Sequence, residues 1–170
     1  MHKLRDAPGE TEEDLRAQIV TLAGRGKVYV LGLGNTDRSD DGAGILVAEE
    51  LKKHFPSYSF SEHDGVEGTV LDLSEKQEEM TVFFVDASDL GLRPGTIRIV
   101  ERNSIRETEI TTHRVAVALM ASVLERTGKN SAVVCIQPKS IEFRGRVSRP
   151  VNSAIALVVR AFMQAVESRL

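Results

Sequence analysis

Between Lys27 and Glu50 the chain reads KVYVLGLGNTDRSDDGAGILVAEE: an apolar run, a glycine turn, an acidic pair and then an amphipathic helical pattern. A strand buried on both faces of a parallel sheet reads as continuous apolar sequence, and Val28 to Leu31 does so before Gly32 and Gly34 permit a sharp exit. Open α/β sheets bind ligands outside the carboxyl ends of their strands, so Asp40 and Asp41 stand where a ligand arrives. The plainer reading is that they only cap the next helix, since Asp is favoured at helix starts.

The rest of the chain repeats this alternation. Thr11 to Ala23 is expected to be a helix, with Thr11 as its cap, Asp14 completing a capping box, and Gly24 and Gly26 ending it. Gly42 to His54 carries Ile45, Leu46, Ala48 and Leu51 at helical spacing before Pro56. A strand is expected from Tyr58 to His63, ending at Asp64, then a short helix from Val66 to Ser74 and a buried strand from Val82 to Val85, ending at Asp86. After the turn at Pro94 and Gly95, Thr96 to Glu101 alternates as an edge strand does, and the short connection predicts an antiparallel neighbour. Thr112 and His113 open a helix bearing Val115, Val117, Leu119, Ala121 and Leu124. Ser131 to Ile136 is a further strand, Gln137 to Val147 a loop, and Arg149 to Leu170 a closing helix. The expectation is an α/β protein of three layers, helices covering both faces of a mostly parallel sheet.

With 170 residues and 41% hydrophobic content the chain suits one domain, 1–170, in which residues 1–26 form an accessory helix before a core at 27–170. A net charge of −3, mixed along the chain, offers nothing to attract nucleic acid or an anionic membrane. The single cysteine, Cys135, lies in an apolar run and reads as a small core residue. The polar start lacks a signal peptide's apolar segment and nothing later reaches spanning length, so the expected location is cytoplasmic.

Asp41, Asp64 and Asp86 each follow a strand, and His113 opens a helix returning to the same sheet edge. Carboxylates and an imidazole make a mixed oxygen and nitrogen site that suits zinc, nickel or iron, and three protein ligands leave positions open for substrate. A dinucleotide site fits poorly, because Asp37 stands where the third glycine of that fingerprint belongs and the acidic pair repels a pyrophosphate. Gly32, Leu33, Gly34 and Asn35 also look like the start of peptidyl-tRNA hydrolases, but Thr36 replaces their proline and no histidine follows before His54.

The segments LGLGNTDRSDDGAG, VDASDLGLRPGTIRIV, ITTHRVAVALMASVL and CIQP, in that order, resemble the maturation endopeptidases of nickel-iron hydrogenases, within them the group processing hydrogenase 3 type large subunits. The resemblance runs from about Lys27 to Val166 and leaves out only the leading helix. It implies a three-layer sandwich around a five-stranded sheet with one antiparallel strand. It also implies a metal-binding set at Asp41, Asp86 and His113, and one-time removal of a C-terminal extension from the large-subunit precursor. By the same resemblance the nickel arrives with the substrate, zinc or cadmium can stand in for it, no organic cofactor is used, and the enzyme is a monomer. No serine, cysteine or threonine beside a histidine offers a nucleophile and no HExxH helix is present, so water is the expected attacker. Either Asp41 or Asp86 acts as general base, or the metal polarises the scissile carbonyl and the carboxylates hold it. Asp40 and Asp64 could support the ligands, and Asp89 and Gln137 could meet the substrate peptide, although each is equally suited to satisfying a turn. The competing class is a nickel carrier or checkpoint protein that binds the precursor without cutting it.

Overall fold

The computed structural model describes residues 9–101 and 114–169. Helix α1 (Glu12–Ala23) opens as expected, with the Thr11 hydroxyl accepting the Asp14 amide at 3.1 Å and the Asp14 carboxylate accepting the Thr11 amide at 3.0 Å. It is more than an accessory, because Leu15 and Ile19 are only 1% exposed and belong to the main core cluster. Arg160 and Gln164 fasten it further through Glu12, at 2.7 and 2.9 Å.

The remaining elements are β1 (Lys27–Gly32), α2 (Ala43–Lys52), β2 (Ser59–Ser61), α3 (Val66–Glu75), β3 (Met80–Ala87), β4 (Ile97–Glu101), α4 (Arg114–Arg126), β5 (Asn130–Ile136) and α5 (Arg149–Glu167). They form one five-stranded sheet in the order β2-β1-β3-β5-β4, with only β4 antiparallel. Helices α1, α2 and α5 cover one face; α3 and α4 cover the other. All eight residues of β3 are buried, as its apolar sequence predicts for a central parallel strand. Phe83 meets Phe162 of α5 edge-on at 5.3 Å, both rings inaccessible to solvent. Removing either ring would cost about 3–5 kcal/mol.

Two details depart from the sequence reading. The strand expected from Tyr58 to His63 stops at Ser61, because Glu62–Asp64 winds into a single tight turn capped by the Ser61 hydroxyl. The short connection after β3 predicts β4 as a neighbour of β3, yet β5 lies between them. Residues 88–96 need bridge only two strand spacings, about 10 Å, which such a segment reaches easily. On α4, Val115 and Leu119 follow the helical period but remain 73% and 64% exposed.

The first turn of α2 sits directly on the ends of β1 and β3. A Cβ at Gly32 would lie 2.1 Å from the Gly44 carbonyl oxygen, and one at Gly44 would lie 2.0 Å from the Val85 oxygen and 2.4 Å from that of Leu33. Backbone packs on backbone here, and neither position has room for a side chain. Gly44→Ala is therefore expected to lose about 3 kcal/mol in denaturant unfolding. Gly68→Ala, inside α3 with nothing within 4 Å of its added methyl, is expected to gain about 0.5–1 kcal/mol.

Candidate active site

In the parallel half of the sheet Gly32 is level with Ser61 on one side and Val85 on the other, so β1, β2 and β3 end on one edge. The segment leaving β1 turns back over that edge and re-enters as the short helical turn Ser39–Gly42. Gly34 makes the reversal possible: its φ of 129° is one that side-chain-bearing residues rarely adopt, and a Cβ there would sit 1.9 Å from the Asp41 carbonyl oxygen. The Asn35 amide then donates to that oxygen at 3.2 Å and closes the loop.

Adjacent aspartates on this turn have different fates. Asp40 is fully buried, and its carboxylate accepts the amides of Lys139, Ser140 and Ser148 at 2.8, 3.2 and 2.6 Å and the Ser148 hydroxyl at 2.9 Å. Such charge-assisted bonds are the strong ones, and they staple the loop after β5 to the turn after β1. Asp41, 8% exposed, lies beside Asp86 at the end of β3, which is wholly inaccessible.

Neither carboxylate oxygen of Asp86 has a hydrogen-bond partner. Burial first, then the charge of Asp41, holds this carboxyl well above the ordinary carboxylate range; the Ala87 amide acts weakly the other way, without reaching hydrogen-bond geometry, and Glu62 adds a further unfavourable field. A buried acid left unpaired beside another acid is costly in isolation and suits a proton or a cation. The Cys135 thiol, opposite Asp86 in the β3–β5 register, is pushed up to about 11, chiefly by burial, and is inert as a nucleophile.

The other residues singled out from sequence have local partners. Asp64 accepts the Ser61 amide at 2.9 Å and pairs with Lys52, which with that amide holds its carboxyl below the usual value. His63 is exposed and 3.8 Å from Glu49. Gln137 accepts the amides of Leu90 and Leu92 at 2.6 and 3.2 Å and donates to Asp89 at 3.3 Å, while Asp89 also accepts the Gly91 amide at 3.0 Å. These two side chains hold the segment after β3 against the end of β5. Glu62, on the turn that ends β2, is the acid near Asp86 that pattern alone does not single out. Among the described residues no three His, Cys, Asp or Glu side chains gather closely enough to hold a metal ion. His113, expected as the third ligand, lies outside the described residues.

Two acids of unequal exposure at the carboxyl edge of a parallel sheet, with no activated nucleophile near them among the described residues, are a combination that suits hydrolysis by water. Residues 45–165 match the family described as HycI, hydrogenase maturation protease, which is more than half of the chain. The chain belongs to the hydrogenase maturation proteases. The hydrogenase 3 maturation protease of Escherichia coli K12 is 30% identical to it over 132 residues, 76% of this chain and 84% of the relative. The solution structure of the endopeptidase HycI from Escherichia coli superposes with a TM-score of 0.61 at 25% identity, covering 79% of this chain and 87% of that one. A HycI crystal structure from Thermococcus kodakarensis KOD1 shares the fold with a TM-score of 0.72 at 22% identity, over 88% of this chain and 97% of that one. This maturation protease is thus a peptidase with the five-stranded mixed sheet of its relatives, and no described helix is long and apolar enough to cross a membrane.

Because the folded state raises the affinity of Asp86 for its proton, it loses stability as pH rises through the ordinary value of 3.8, where only the unfolded chain gives the proton up. Asp86→Asn keeps the shape without the charge. It is expected to raise the melting temperature by about 2–4 °C near neutral pH, with the gain vanishing below pH 3.8; a gain independent of pH would contradict this. Asp40→Ala leaves buried amides without an acceptor and is expected to cost about 3 kcal/mol or more in chemical unfolding.

Proposed function

We propose that this enzyme removes a C-terminal extension from a nickel-iron hydrogenase large-subunit precursor once nickel has been inserted, and that it recognises the nickel itself. The observation that carries the reading is the unpaired Asp86 carboxylate beside Asp41. A divalent cation brought by the substrate would offset both the burial of Asp86 and the repulsion between the two acids. With His113 as third ligand, nickel held by the precursor's cysteines would gain oxygen and nitrogen donors, and a precursor without nickel would dock poorly. Zinc or cadmium in that place would meet the same donors.

Asp41, the less buried of the two acids, takes the proton of the water molecule that attacks the peptide carbonyl. Asp86 holds the substrate's metal against the sheet edge, so the scissile bond and the base meet in one geometry. Asp40 contributes by fixing the turn that carries Asp41.

Intact-mass analysis of the precursor, incubated with enzyme in nickel-loaded and nickel-free forms, tests the reading. Loss of a C-terminal peptide from the nickel-loaded form alone is expected, with Asp41→Asn and Asp86→Asn each slowing it by about a hundredfold or more. Binding without any change of mass would instead identify a carrier or checkpoint protein, and equal cleavage of both forms would remove nickel from recognition.

A further inference from the structure

The loop from Lys139 to Ser148 presents the most exposed aromatic side chain among the large apolar ones, Phe143 at 67%, together with Ile141 at 40%. This exposure is built in. The Arg144 amide donates to the Asp37 carbonyl at 2.7 Å, Ser39 Oγ to that of Glu142 at 3.1 Å and Arg38 Nε to that of Ile141 at 3.3 Å, while Asp40 grips the two ends of the loop. Ser39 and Arg144 are the two described non-glycine residues in left-handed conformation, with φ of 51° and 60°. Such strain persists only where surrounding contacts over-determine it, and it concentrates at functional sites. One of the two immediately precedes Asp40 and Asp41; the other follows Phe143.

The charge of this rim is opposite to that of the chain. Arg38, Lys139, Arg144, Arg146 and Arg149 are exposed here, whereas the acids of the same segments are the exposed Asp37 and Glu142 and the buried Asp40 and Asp41, although the whole sequence carries −3. None of the ion pairs among the described residues uses these five cations. The Arg144 guanidinium lies 5.4 Å from the centre of the Phe143 ring, so an apolar face and a cation are offered as one unit.

We infer that this loop is the docking surface for the substrate polypeptide, with Phe143 and Ile141 seating an apolar side chain and Arg144, Arg146 and Arg38 binding carboxylates next to it. The inference rests on the protease reading above and names the peptide chemistry it takes: an apolar residue flanked by acidic ones, close to the bond that is cut. The loop is stapled to the turn bearing Asp41, so a peptide seated on it is held in register with the candidate catalytic acids. The partner is thereby selected by an apolar anchor and by charge together.

The test is steady-state processing of the nickel-loaded precursor by the wild type, Phe143→Ser, the double variant R144E/R146E, and Leu71→Ser, which alters an exposed apolar residue on α3. Phe143→Ser and the double variant are expected to raise KM about tenfold with little change in kcat, the signature of lost binding rather than lost chemistry. Leu71→Ser should match the wild type, and the wild type's KM should rise with salt more steeply than that of the double variant. Unchanged kcat/KM in both loop variants, with an active wild type, would overturn the docking surface and leave the protease reading intact. A wild type unable to process the precursor would overturn the protease reading itself.

Discussion

The backbone contact between the first turn of α2 and the ends of β1 and β3 is the constraint from which the site follows. With hydrogen atoms in place of side chains at Gly32 and Gly44, the first turn of the helix that covers this face comes into backbone contact with the strand ends. The chain between them has no choice but to fold back over the strand ends, and this puts Asp40 and Asp41 within reach of the loop after β5 and of β3. A packing requirement of the interior thus sets the position of polar groups at the edge.

The neighbouring aspartates then show how environment divides labour among identical side chains. Asp40 receives four hydrogen bonds and becomes a structural anchor. Asp86, equally buried, receives none. Leaving one buried acid without donors while satisfying another so fully costs stability that the rest of the fold must offset, the pattern proteins show where local strain serves a site.

Local patterns were readable from the chain alone wherever short-range chemistry decided them. The capping box of Thr11 and Asp14 is complete within four residues, the Val82–Val85 run of β3 is apolar and buried, and β4 is an antiparallel strand at the edge of the sheet. The placing of Asp41 and Asp86 at one edge was legible too, because parallel strands joined by helices must end together. What could not be read depends on distant partners. Nothing near Gln137 reveals that its amide secures the segment beginning at Asp89, and nothing near Asp40 reveals the amides waiting at Lys139 and Ser148. The insertion of β5 between β3 and β4 is likewise invisible, since connection length limits reach and not which strand fills the gap. Apolar periodicity on α4 overstated burial at Val115 and Leu119, because a helix against a sheet covers only one stripe of its surface.

The Asp40 staple has a temporal side. Its partners lie 99, 100 and 108 residues further along the chain, so during synthesis the turn carrying Asp41 emerges long before anything can fasten it. Contacts of such separation form late, after the loop-closure entropy of the intervening chain has been overcome. The turn that carries Asp41 is therefore locked into place only after Ser148 has left the ribosome, and a chain stopped short of Ser148 lacks part of what fastens it. An enzyme that cuts other polypeptides thus gains its fastened site only after the loop ending at Ser148 has been made.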